Sequence, residues 1–167
     1  MAQSIVITGF MAAGKTTAAS LAAEGKPWQL VDLDRSIEEV SGKSVAQIFT
    51  EGGEAAFRQI ESSQLAMALK DEGGPRIIAA GGGVVLTAAN QLLLKRACVI
   101  FLDTDFAEIM RRLQADQSDR PLLRGLDAIA IRQLWQNRRQ LYIKTSDFVV
   151  KDSAELIQLV NSKIQRG

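Results

Sequence analysis

Residues 9–16 read Gly-Phe-Met-Ala-Ala-Gly-Lys-Thr, a G-x-x-x-x-G-K-T run, and no other stretch of the chain constrains the fold as tightly. It follows a short apolar segment and precedes a helical pattern, the context such a run needs to act as a phosphate-binding loop. Gly9 and Gly14 let the backbone turn back on itself, so that successive N–H groups point into one concavity. The helix that follows adds its positive N-terminal end. Lys15 supplies a cation for β- and γ-phosphates, and Thr16 a hydroxyl where Mg²⁺ bridges them. The chain is therefore expected to bind a nucleoside triphosphate with Mg²⁺.

The rest of the pattern places this loop in an α/β fold. Residues 4–8 read as a strand, 15–24 as a helix, 28–34 as a second strand and 35–70 as helical. Residues 76–80, 98–102 and 148–150 read as further strands, with helices expected over 87–95, 105–113, 127–142 and from 152 to about 163. Asp105 with Glu108, and Asp152 with Glu155, have capping-box spacing. The strands are apolar throughout, which suits a parallel sheet covered on both faces. Strand–helix alternation makes it doubly wound. At 167 residues one domain, 1–167, is expected. Residues 114–125 are polar and long for a connection, so they read either as a mobile loop or as ordinary surface.

Composition removes several chemistries. There is no histidine and a single cysteine, Cys98. That rules out a Ser-His-Asp triad, a histidine-ligated zinc, a CxxC site and an internal disulfide. The formal net charge of +1 gives no global pull toward nucleic acid or membrane. It is unevenly spread: residues 24–61 carry eight acids against four bases, and 106–144 eight bases against four acids. Two solvated faces or an arginine-rich region that meets a polyanion would both produce this pattern. No signal peptide or bilayer-length apolar run is visible, and a cytoplasmic protein is expected.

Three further constellations carry chemistry. Asp32 and Asp34, read at the end of the second strand, would share a face over the sheet edge where ligands of open α/β sheets collect. One could then serve Mg²⁺ and the other orient or deprotonate a hydroxyl. Asp34 could equally be a helix N-cap for the segment from Arg35. Arg58 lies three residues before Glu61 and four after Glu54, either a surface ion pair or a fork for a carboxylate held in place by Glu61. Phe49 and Phe57 could wall such a pocket or belong to the core. Gly81, Gly82 and Gly83 follow a strand and make sense if something must approach the backbone closely, a plain loop being the alternative.

Taken together, GFMAAGKT, the DLD pair at 32–34, FRQIE at 57–61, GGG at 81–83, RPLL at 120–123 and RRQLY at 138–142 resemble the shikimate kinase family. The resemblance spans roughly residues 5–142. It implies a three-layer P-loop fold with a five-stranded parallel sheet in the order 2-3-1-4-5, helices on both faces, a substrate-binding helical segment at about 35–62 and a mobile lid at about 114–125. It implies ATP-dependent phosphorylation of the 3-hydroxyl of shikimate, in the route to chorismate and the aromatic amino acids. Asp34 would bind ring hydroxyls and act as base, with Lys15 and Arg120 on the phosphates. Gly9, Met11, Ala12, Ala13, Gly14, Lys15, Thr16, Thr17, Arg112 and Arg120 would bind ATP, with Arg111 an alternative to Arg112 on the adenine. Arg58, Gly81, Gly82, Gly83 and Arg138 would join Asp34 on shikimate. Thr16 would hold Mg²⁺, and Asp32 would do so through water. Partners other than ATP and shikimate are not implied, and a monomer is expected.

Two positions depart from the family pattern. Ala12 stands where relatives usually carry glycine, and residues 151–153 do not match the family's adenine loop. Three other readings compete: a gluconate-type kinase, a non-catalytic nucleotide binder and a GTPase switch. The FRQIE and triple-glycine pairing disfavours the first. Intact Asp34, Lys15 and Arg120 disfavour the second, and the lack of an NKxD-type run disfavours the third.

Overall fold

The computed structural model describes residues 4–70, 73–116 and 120–165. Five strands, β1 (Ile5–Thr8), β2 (Gln29–Asp32), β3 (Arg76–Ala79), β4 (Cys98–Leu102) and β5 (Phe148–Val150), pair in parallel in the order β2-β3-β1-β4-β5. Among the described residues, seven α-helices connect or follow them: α1 (Lys15–Ala23), α2 (Leu33–Ser41), α3 (Val45–Ala68), α4 (Ala88–Leu94), α5 (Phe106–Ala115), α6 (Ala128–Thr145) and α7 (Ser153–Gln165). Single 3-10 turns lie at Val84–Leu86 and Pro121–Leu123.

The strand residues explain the three layers. On β1, Ile5 and Ile7 face one side and Val6 the other, as period-two geometry requires. Ile5 and Ile7 pack with Ala18, Ala19 and Ala22 of α1 and Leu156 and Val160 of α7. These three alanines are fully buried, and their small side chains let α1 lie close to the sheet. Val6 packs with Ile78, Val99 and Phe101 against α3, α4, α5 and α6 through Leu65, Leu94, Ile109, Ile131 and Tyr142. β1, β3 and β4 are the buried strands. β2 and β5 are edges, and β2 is exposed or half-buried along its length, so burial on both faces holds only for the centre of the sheet.

The second strand ends earlier than the sequence pattern predicts. β2 stops at Asp32, and helix α2 starts at Leu33. Asp32 is the N-cap: its Oδ1 accepts from Arg35 N–H at 3.1 Å. The helical stretch after it is two helices. Gly42, at φ +65°, ends α2, and Ser44 with Gln47 forms a capping box that starts α3. α3 itself is broken at Gly53, whose φ of +71° and ψ of −177° open to glycine almost alone. Ile37, Ile48 and Phe57 form a small core under this corner. The expected capping box at Asp105 is absent, because Glu108 bonds Arg111 and Arg112 instead. At Asp152 half of the expectation holds: its Oδ1 accepts from Glu155 N–H at 2.9 Å, but the Glu155 carboxylate accepts from Lys151 N–H rather than from Asp152. Among the described residues, no helix is long and apolar enough to cross a membrane.

Candidate active site

Five candidate segments leave the C-terminal end of a strand: the phosphate loop after β1, Asp34 after β2, the glycines after β3, Asp103 and Thr104 after β4, and Ser153 after β5; Arg120 comes instead from the connection between α5 and α6. Parallel strands put these ends on one edge, where open α/β sheets bind ligands.

The phosphate loop has the backbone its glycines permit. Gly9 has φ +156°, and a Cβ there would lie 2.8 Å from the Leu102 carbonyl oxygen. Gly14, at φ +94°, is the N-cap of α1. Ala12 also adopts the left-handed region, at φ +61°, the only non-glycine residue to do so among the described residues. Met11, Ala12, Gly14, Lys15, Thr16 and Thr17 line a pocket of about 640 Å³ with Asp32, Asp34 and Arg120. Gly9 and Ala13 do not line it. They lie buried behind the cradle, where the Ala13 carbonyl accepts from Thr104 Oγ1 at 2.8 Å. Lys15 Nζ donates to the Phe10 carbonyl at 2.8 Å. Burial pulls its pKa down to about 8, against the opposing pull of Asp34 and Asp32. Thr16 Oγ1 donates to Asp32 Oδ2 at 2.7 Å.

Asp34 lies in the first turn of α2, not on a strand, so it reaches the site by helix geometry rather than by alternation with Asp32. It is the wall between two cavities. The second cavity, an open cleft of about 840 Å³, is lined by Met11, Asp34, Phe49, Phe57, Arg58, Glu61, the three glycines, Arg120, Pro121, Leu122 and Arg138, among others. Met11, Asp34, Gly82 and Arg120 line both. Asp34 is open to the cleft water yet ringed by protein. That enclosure raises its pKa above the ordinary carboxylate value, although Lys15 opposes it.

The cleft is cationic at one end. Arg58 is buried and donates to Glu61 Oε2 at 2.8 Å and Glu54 Oε1 at 3.1 Å. Glu61 is wholly buried, which pushes its pKa up against the pull of Arg58. Arg138 is also buried: it bonds Tyr142, makes a long contact from Nη1 to the Gly82 carbonyl at 3.4 Å, lies 5.8 Å from the Phe10 ring centroid, and leaves its Nε without a partner. Burial lowers its pKa, and the charge of Arg58 adds to this. Tyr142 donates its hydroxyl to the same Gly82 carbonyl. Phe49 and Phe57 pack with centroids 4.8 Å apart and rings tilted by 35°, and form the apolar wall.

The triple glycine does admit close approach, and the groups that approach are the protein's own. A Cβ on Gly83 would lie 2.2–2.5 Å from the Arg58 guanidinium. One on Gly81 would lie 2.9 Å from Asp34 Oδ1 and 3.1 Å from Glu61 Oε1, and one on Gly82 would lie 3.1 Å from Met11 N.

A third pocket, lined by Ala12, Gly14, Thr17, Arg112, Asp116, Arg120 and Ser153, continues outward from the phosphate loop. Arg112 belongs to it: Nη1 donates to the Ala12 carbonyl at 3.1 Å, and Nε to Glu108 at 2.7 Å. Arg111 is exposed and bonds only Glu108 among the contacts described. Ser153 was not singled out by its sequence. The available signal was its place just after a strand, at the same edge as the other strand-end segments of the site. Of the expected lid, 114–115 continue α5, 117–119 lie outside the described residues, and Arg120 bonds Asp116 across them.

A family model described as shikimate kinase matches residues 11–166. The chain belongs to the shikimate kinase family. A shikimate kinase of Synechococcus elongatus is 37% identical over 154 residues, which cover 90% of this chain and 78% of the relative. One of Corynebacterium efficiens is 35% identical, over 96% of this chain and 93% of the relative. Among solved structures, the shikimate kinase of Acinetobacter baumannii, in complex with shikimate, superposes with a TM-score of 0.86 at 29% identity, covering 98% of this chain and 93% of that one. The P-loop kinase fold and the 2-3-1-4-5 sheet agree with membership of the shikimate kinase family.

Proposed function

We propose that this chain transfers the γ-phosphoryl group of ATP to the 3-hydroxyl of shikimate. The observation that carries the reading is the shared wall: a phosphate cradle and a cleft ending in two guanidinium groups meet at Asp34, Gly82 and Arg120. A small hydroxylated carboxylate fits that cleft. Arg138, with its weakly engaged fork, takes the carboxylate with Arg58 beside it. Its ring then lies along Phe49, Phe57 and the glycine backbone. Its hydroxyl reaches Asp34 at the junction with the phosphates.

The chain's own groups then divide the work. Asp34 accepts the hydroxyl proton or orients the hydroxyl for in-line attack. Lys15 and Arg120 carry charge that builds on the phosphoryl oxygens. Arg120, Pro121 and Leu122 roof the cleft and exclude water, which keeps ATP from idle hydrolysis. Arg112, Thr17 and Ser153 flank the nucleoside end.

Mg²⁺ fits the donors present. Thr16 Oγ1 and Asp32 Oδ2 are adjacent hard oxygens beside the phosphate pocket. Among the described residues no three acidic or sulfur side chains cluster to cage an ion. The ion would thus draw most of its ligands from phosphate oxygens and water, as Mg²⁺ commonly does. When bound it neutralises charge on the β- and γ-phosphates. The reading places the enzyme with its ATP in the cytoplasm, acting as a monomer.

The test is ADP release with ATP and Mg²⁺ against shikimate, quinate and gluconate. Turnover is expected with shikimate. Turnover with gluconate alone would overturn the assignment.

A further inference from the structure

Asp103, Arg139 and Lys151 line neither the cleft nor the phosphate pocket and form an ionic cluster that the reaction as described does not use. Asp103 directly follows β4, and its side chain is 2% exposed. Its N–H donates to the Val150 carbonyl at 2.8 Å, extending the β4–β5 ladder. Arg139 on α6 grips it as a fork, Nε to Oδ1 at 2.8 Å and Nη2 to Oδ2 at 2.7 Å. Lys151, at the end of β5, donates to the same Oδ2. Burial pushes the Asp103 pKa up, but the bonds from Arg139 and Lys151 outweigh this and hold it below the usual value.

The contrast with Arg138, the neighbouring residue on α6, gives the cluster its meaning. Among its described contacts Arg138 is held by neutral groups, the Tyr142 hydroxyl and the Gly82 carbonyl, and no carboxylate anchors its fork. Its one described protein hydrogen bond by Nη1 is 3.4 Å long. It is also a buried cation close enough to Arg58 to be repelled by it. Successive residues on a helix point about 100° apart. Fixing Arg139 to a buried carboxylate therefore fixes the rotation of α6, and with it the direction of Arg138. The other arm runs to the nucleotide. Lys151 is two residues before Ser153, which lines the pocket with Thr17 and Arg112. Its N–H donates to Glu155 Oε2, tying it to the first turn of α7.

We propose that Asp103 is a positioning residue for the reaction. Through Arg139 it holds the face of α6 that presents Arg138 to the acceptor, and through Lys151 it holds the β5–α7 junction that presents Ser153 to the nucleotide. The first arm rests on the shikimate reading above, and the second needs only the nucleotide.

Four variants separate the arms. Arg139→Gln is expected to raise KM for shikimate about tenfold while leaving KM for ATP within about twofold, the loss of a charge-assisted fork. Lys151→Gln is expected to weaken ADP binding, read by calorimetry without any acceptor, by about two- to fivefold, with KM for shikimate unchanged. Asp103→Asn is expected to do both, and Arg139→Lys to recover part of the shikimate KM, since it restores charge but not the fork. A purely structural cluster would lower the melting temperature and leave both arms unmoved, or shift them together in all variants. Either result overturns the proposal. Wild-type turnover of shikimate checks the functional reading separately. Should that fail, the Lys151→Gln calorimetry still decides the nucleotide arm.

Discussion

Ala12 holds a methyl group at φ +61°, where an L-residue is strained by about 1–2 kcal/mol. Glycine there would remove the strain and add about 0.4–1 kcal/mol of unfolded-chain entropy to lose. Ala12→Gly is therefore expected to stabilise the protein by on the order of 0.5–1 kcal/mol, read from urea unfolding. An unchanged or lower midpoint would show that the loop relaxes around the methyl. Gly83 is the opposite case. Its Cβ position lies within 2.2–2.5 Å of the Arg58 guanidinium, so Gly83→Ala must expel that side chain. KM for shikimate should rise by about tenfold or more, with ADP affinity kept; misplacement by about 1 Å is enough for such a loss. A normal shikimate KM would mean that Arg58 does not hold the acceptor. The run of three glycines was legible as a demand for close approach. That the approaching groups are Asp34, Glu61, Met11 N and Arg58 was not, because tertiary neighbours leave no trace in local spacing.

The elements around the site show where local pattern suffices and where it does not. The buried strands were legible because β1, β3 and β4 are apolar on both faces. The end of β2 was misplaced because Asp32 caps a helix while lying in an apolar-acidic run that also fits a strand. Asp32 serves twice there, one oxygen on Arg35 N–H and the other on Thr16, and only the fold brings those partners together. The break in α3 was missed because glycine in a helical pattern is ambiguous. Gly52 is helical, and its neighbour Gly53 is not. Nothing lies within 4 Å of a Cβ built on Gly53, so any cost of filling it comes from the backbone. Gly53→Ala is expected to destabilise the protein by about 1–3 kcal/mol. Because the second half of α3 carries Arg58, the shikimate KM should rise with it. A variant as stable as the wild type would show that the two halves of α3 can join into one straight helix.

At the scale of the whole molecule, the sheet edge encloses an acid and a base-forming cation side by side and shifts them toward each other. Enclosure raises the pKa of Asp34 and lowers that of Lys15 to about 8. Asp34 accepts a proton only when ionised, so activity should fall as pH drops through its raised pKa, above the ordinary carboxylate range. Lys15 attracts phosphate only when protonated, so kcat/KM for ATP should fall as pH rises through about 8. Phosphate at Lys15 stabilises the ammonium and raises its pKa. Nucleotide binding near or above that pH must then take up protons from solution. Calorimetry of ADP binding at pH 8.5, in buffers of different ionisation enthalpy, should give observed enthalpies that differ between buffers, with the slope of proton uptake. Enthalpies independent of buffer, together with a kcat/KM for ATP that stays flat to about pH 9, would mean that Lys15 is already fully charged in the free protein. Enclosure at the sheet edge would then not be what tunes it.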